Sequence, residues 1–237
     1  MDKNSSRGFA VSGIAIGLGI IIAGLSMSVA FYSTRATERY VTVKGLAERN
    51  VEADLAIWPL SFKETGNDLI ALHGTVNSKR HTIQQFLLDV GFDESEMSLS
   101  PPSIRDSQAE PLYGEQAMPK FRYTAQQTMS VRTNKVPLVK QAMENSVELI
   151  GKGVVLVAGG NTEFLFTSLN EIKPDMIAEA TKNAREAAEQ FARDSGSKVG
   201  KIRKATQGLF SINVRDWNSP EQKVVRVVTT VEYYIKD

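Results

Sequence analysis

The chain has 237 residues, 42% hydrophobic and 23% charged, the composition of a globular protein and not of a disordered or fibrous one. A net charge of +1 leaves no basic footprint for nucleic acid, so no nucleic-acid partner is expected. The absence of cysteine excludes a disulfide scaffold, a thiolate zinc site, a cysteine nucleophile and a lipoprotein anchor.

Residues 1–8 form a short tail carrying Lys3 and Arg7. From Gly8 to Thr34 no residue is charged, and Phe9 to Phe31 is almost wholly apolar or small. As a helix this stretch is about 34 Å long, against a hydrocarbon core of about 30 Å. Backbone in hydrocarbon must satisfy its own hydrogen bonds, so one transmembrane helix is expected at 9–31, then a tether at 32–39 and a folded body at 40–237. Two readings of the segment stand. Its length favours an uncleaved anchor, while Ser28-Val29-Ala30 has the small-x-small pattern of a site cleaved after Ala30 on export. Lys3 and Arg7 before the span are balanced by Arg35, Arg39 and Lys44 after it, so the positive-inside count does not decide orientation. The export-like start places the body outside the cytoplasm. Gly13, Gly17 and Gly24 fall near one helical stripe, a candidate seam for transmembrane packing; glycine is also simply common in membrane helices.

In the body, Tyr40–Leu46 and Leu55–Lys63 are expected as a first strand pair, with Pro59 marking an edge or a bulge. A helix over 68–90 follows, with Leu69, Leu72, Val76, Ile83, Leu87 and Val90 at helical spacing, Asn67 as N-cap and Gly91 past its end. Lys79 and Arg80 interrupt that stripe, which puts one stretch at the edge of the core. Met97–Arg105 and Arg122–Thr133 make a second pair, and a helix over 137–150 opens on Pro137. Val154–Val157 and Glu163–Ser168 make a third pair. The next helix carries Ile177, Ala180, Ala184, Ala187, Ala188 and Phe191 on its apolar side. Lys201–Val214 and Lys223–Lys236 close the chain, the latter alternating Val225, Val227, Thr229, Val231, Tyr233 and Ile235 with polar residues. The order ββα, ββα, ββα, ββ predicts an α+β fold with a mostly antiparallel sheet packed on helices.

Two long connections, 101–120 and 214–222, carry Tyr113 and Trp217, aromatic anchors for a partner if exposed. Catalytic patterns are missing. His73 and His81 are eight apart on one helix and not at the i, i+4 spacing of a metal pair. There is no GxSxG; Ser195 in DSGS reads as a helix stop. No phosphate-binding loop is spelled, and Asp93, Glu94 and Glu96 sit together as solvated carboxylates of a turn. Nothing asks for a cofactor or a metal.

The opening VTVKG, then ADLA at 53–56, a long helix, and AEATKNAREAAEQFARDSGSKVGKIRKATQG at 178–208 resemble the SIMPL domain family over about residues 40–236. Where that family has Gly-Glu-Gly after its first strand, this chain has Gly45-Leu46-Ala47, and Trp58-Pro59 stands in the second strand. The resemblance implies a bacterial protein that is secreted, periplasmic or anchored by one span in the inner membrane, with its C-terminal domain in the periplasm. It implies self-assembly in some members and stress-related roles, and it brings no catalytic residues. The expectation is a non-enzymatic envelope protein acting as a homo-oligomer or through envelope partners. A periplasmic ligand- or peptide-binding module using the 101–120 and 214–222 loops is the alternative, and an envelope hydrolase using carboxylates, a serine and a lone histidine is the third reading.

Overall fold

The computed structural model describes residues 13, 16–28, 39–109, 120–157 and 161–236. In chain order the elements are α1 (16–28), β1 (Tyr40–Glu52), β2 (Leu55–Gly66), α2 (Leu69–Val90), a 3-10 turn (Glu94–Glu96), β3 (Met97–Leu99), β4 (Ser103–Asp106), β5 (Tyr123–Thr133), α3 (Val136–Asn145), α4 (Glu148–Gly151), β6 (Glu163–Leu165), α5 (Leu169–Asp194), β7 (Lys198–Gln207), β8 (Ser211–Asp216) and β9 (Ser219–Lys236). The protein is α+β, with antiparallel sheets packed on helices. The chain divides into two compact units, and the divisions fall inside β1, α5 and β9 and between β7 and β8.

The first unit joins the start of β1, α5 from Met176, β7 and the end of β9. β9 lies between β1 and β7, and the amide of Ile235 donates to the carbonyl of Arg39. Val43, Val231 and Tyr233 on the strands meet Ala184 and Ala188 on α5. The alanines are needed because the helix comes very close. A Cβ at Gly45 would lie 1.8 Å from the carbonyl oxygen of Ala180 and 2.5 Å from the amide nitrogen of Ala184. Asn183 then donates to the carbonyl of Leu46 at 2.8 Å, tying helix to strand. The buried stripe of α5 runs Met176, Ala180, Ala184, Ala188, Ala192, four residues apart throughout. Phe191, expected on that stripe, is 60% exposed; it sits one position off the i, i+4 line.

The second unit is built on the sheet β3-β5-β2-β6, with β4 also pairing β5. β2 and β5 pair along their whole length, from Ala56↔Thr133 to Gly66↔Tyr123. Ala125, Gln127, Met129, Val131 and Thr133, every second residue, face the core. α2 covers that core with Leu72, Val76, Ile83, Phe86 and Leu87. Its N-cap is Asp68, whose carboxylate accepts from the Ala71 amide; Asn67, expected there, instead accepts from the amide of Arg122. Gly91 closes the helix at φ 111°, a left-handed conformation that favours glycine.

Two expected hairpins are not formed. β1 and β2 are adjacent in sequence but belong to different sheets. Leu156 and β6 do not pair with each other; both lie against β2, as the bridge Phe62↔Leu156 and the ladder Leu55↔Leu165 to Ile57↔Glu163. Pro59 falls between those two contacts, so an interior strand accommodates it where no ladder partner is described on that side. The helix expected over 137–150 breaks into α3 and α4 at Ser146-Val147, and the last expected pair resolves into three strands, β7 and β8 both pairing with β9.

The segment 9–31 is described only in part, and residues 9–12, 14, 15 and 29–31 lie outside the described residues. α1 exposes Ile16, Leu18, Ile20, Ile21, Ile22, Leu25 and Met27 by between 54% and 75%. No helix among the described residues is long and apolar enough to cross a membrane.

Candidate functional site

The 214–222 connection is not a loose loop. β8 and β9 pair from Ser211↔Arg226 to Asp216↔Ser219, with a register shift after Val214, and Trp217-Asn218 form the tip. Trp217 is 96% exposed. All six residues of β8 are exposed, including Ile212 and Val214 on one face, and among the described residues β9 is the one strand paired with it. An edge strand with apolar side chains and a bare tryptophan at its end is a surface that a second chain can extend.

The base of this hairpin is fixed. Glu221 accepts from the Nζ of Lys140 on α3 at 2.5 Å, its carbonyl accepts from the Ala53 amide at 2.8 Å, and Gln222 donates to Glu52 at 2.9 Å. Burial pushes the Glu221 carboxyl up, but the Lys140 hydrogen bond and charge together with a backbone hydrogen bond hold the group below its usual range. The bond to Glu221 raises the Lys140 ammonium. Val214 lies opposite Lys223, which is buried, and desolvation lowers the pKa of that ammonium. Below the tip is a cavity of about 190 Å³, lined by Lys140, Met143, Phe164, Asn218, Pro220 and Glu221.

A second arrangement joins the turn between β1 and β2 to the residues just before α5. Asp54 accepts at Oδ1 from the Thr167 amide (2.7 Å) and hydroxyl (2.9 Å), and at Oδ2 from the Ser168 amide (2.9 Å). Its own carbonyl accepts from Asn134 at 2.6 Å. Burial opposes the charge, yet the Ser168 and Thr167 bonds together hold the carboxyl below its ordinary pKa. Asp54 therefore holds the entry to α5 from the turn between β1 and β2.

Of the three clustered carboxylates, two are structural. Asp93 (2.8 Å) and Glu96 (3.0 Å) both take the ammonium of Lys135, and Glu96 also accepts from the Thr133 hydroxyl at 2.5 Å. Burial raises Glu96, but the Asp93 amide, Thr133 and Lys135 lower it further. They are not a bare acid/base pair. His73 and His81 lie exposed on α2, and Ser195 ends α5 by donating to the Ala192 carbonyl.

Tyr113 lies outside the described residues. A Cβ built on Gly13, Gly17 or Gly24 meets nothing within 4 Å among the described residues.

The sequence matches the family model SIMPL, described as a protein of unknown function (DUF541), over residues 41–231. The chain belongs to the SIMPL family. Comparison with curated proteins yields no match. The residues that carry the SIMPL resemblance now have physical roles. Gly45 of VTVKG admits α5, the Asp54 of ADLA holds its entry, and the alanines of 178–208 line its buried face. Sequence reasoning missed the Asp54 clasp and the Lys140–Glu221 pair, because both join residues far apart along the chain. The break in the α2 stripe at Lys79 and Arg80 was a usable signal: Lys79 donates to the carbonyl of Gly153, and Arg80 lines a cavity.

Proposed function

We propose that this SIMPL protein is a membrane-anchored envelope protein without catalytic activity, held by one span at 9–31 in a bacterial inner membrane, with its body in the periplasm. It acts by self-assembly or by binding envelope partners, in keeping with the stress-related roles suggested for the family. The observation that carries this reading is the β8–β9 hairpin, an open edge strand ending in a 96% exposed Trp217. The exposed Ile and Leu side chains of α1 and the apolar run around them support the anchor.

The test is light scattering of the full chain in mild detergent, beside Trp217→Ser. The expected result is a multimer whose mass falls with the substitution. A monomer at all concentrations, with no partner trapped by crosslinking in membranes, sinks the reading. Protease treatment of cells with a permeabilised outer membrane tests the address: the body should be cut and residues 1–8 protected.

The cavity at the hairpin base favours a second reading, a ligand- or peptide-binding module. Replacing residues 214–222 with a short turn separates the two: capture of partners lost with the mass unchanged points to the module.

A further inference from the structure

The second unit holds one more candidate site, independent of the hairpin. Between α2 and the edge strand β3 is a cavity of about 310 Å³, at the small end of the range for ligand pockets, about 300–1,000 Å³. Arg80 lines it from α2. Its Nε is buried without a hydrogen-bond partner, and its guanidinium has no ion pair among the described residues. A buried cationic donor left unsatisfied beside a cavity is costly in the empty protein and is relieved by a carboxylate that accepts from it and from a terminal nitrogen of the same guanidinium.

The lining narrows the ligand. Met97, Leu99 and the buried Met129 give an apolar wall, and methionine side chains adapt to varied apolar shapes. Glu94 stands on the same cavity. Its neighbours Asp93 and Glu96 are taken by Lys135, while Glu94 has no side-chain partner among the described residues. A doubly charged phosphate would meet this carboxylate with repulsion, whereas an ammonium group would be held by it. We propose that the Arg80 cavity binds a small zwitterion with an apolar side chain, of the α-amino-acid class: its carboxylate on Arg80, its ammonium at Glu94 and its side chain against Met97, Leu99 and Met129.

The experiment is calorimetric titration of the full chain in mild detergent with L-leucine, L-methionine, N-acetyl-L-leucine and L-leucinamide at up to millimolar concentration. L-Leucine and L-methionine bind, and L-leucinamide, which lacks the carboxylate, binds about tenfold or more weaker. Arg80→Gln weakens L-leucine by a similar factor. Glu94→Gln weakens L-leucine but leaves N-acetyl-L-leucine unchanged. Tight N-acetyl-L-leucine binding beside weak L-leucine would assign the site to a peptide C-terminus and overturn the free amino acid. Arg80→Met, which removes the unsatisfied donor, raises the melting temperature of the empty protein while abolishing binding. Failure of L-leucine and L-methionine to bind, or binding that survives Arg80→Gln and Arg80→Met, overturns the proposal. Should Arg80→Gln unfold the chain, Arg80→Lys keeps the charge without the fork, and undiminished binding there also overturns it.

Discussion

Replacing Asp54 with alanine removes a carboxylate that accepts three hydrogen bonds, from the Thr167 amide and hydroxyl and from the Ser168 amide. Hydrogen bonds to a charged group contribute about 1.5–3 kcal/mol each, but three on one carboxylate are not additive. Loss of an ordinary helix N-cap alone costs about 1–2 kcal/mol. The expected loss for Asp54→Ala is therefore about 2–4 kcal/mol, which for a chain of this size lowers the melting temperature by about 5–15 °C. Asp54→Asn keeps one acceptor oxygen but sets its amide donors against an N–H or O–H, and should lose roughly half as much. Trp58 is buried in the second unit and Trp217 is exposed, so in a Trp217→Phe background the fluorescence reports the unit that holds the clasp. Denaturant unfolding followed this way measures the effect. The pH dependence checks its electrical part. Because the folded pKa is depressed, the stabilisation is fully present above the unfolded value of about 3.9 and disappears as pH falls through the folded value. The gap between wild type and Asp54→Ala should thus be full at neutral pH and shrink in acid. A gap below about 0.5 kcal/mol at neutral pH, the size of an ordinary surface substitution, would refute the argument.

Gly45→Ala forces a Cβ against the backbone of Ala180 and Ala184, neither of which can rotate away; a loss of about 3 kcal/mol or more is expected, and hydrogen exchange in α5 within about 1 kcal/mol of wild type would contradict it. Lys135→Met leaves Asp93 and Glu96 without their cation. The folded pKa of Glu96 rises towards its unfolded value, so stability at neutral pH falls and acid unfolding begins at a higher pH, measurable by circular dichroism. Trp217 should emit as a solvated indole and be quenched almost fully by acrylamide, with a blue shift on self-association; an emission already blue at the lowest concentration, where the chain is monomeric, would show the tip folded back onto the protein.

What the sequence made legible was local. α2 repeats its apolar residues at helical spacing and stops at a glycine with φ 111°, so both its existence and its end followed from short-range rules. β9 alternates so regularly that its buried face, Val225 to Tyr233, is readable from the sequence. Strand partnership was not legible, because β1 and β2 are near neighbours in the chain and yet find partners in different sheets. Phe191 failed because an apolar residue near a stripe is not evidence of its burial when a helix approaches as closely as the Gly45–Ala180 contact demands. Trp217 was singled out for its residue type within a long connection. That it stands on a firm hairpin depends on Glu221 finding Lys140 across the fold. Arg80 showed itself only as a flaw in a pattern, and the cavity beside it comes from strands that lie later in the chain.

The bond from Ile235 to Arg39 has a consequence for how the protein is made. It closes a sheet between the first and last strands of the body, so β1 emerges from the ribosome and waits for nearly all the remaining chain before its neighbour exists. Pairing at such sequence separation is slow and leaves an unpaired strand edge open to aggregation in the meantime. A nascent chain of this kind has a long interval of dependence on chaperones, and truncations that remove even the last strand should yield not a shortened protein but one whose first unit never closes.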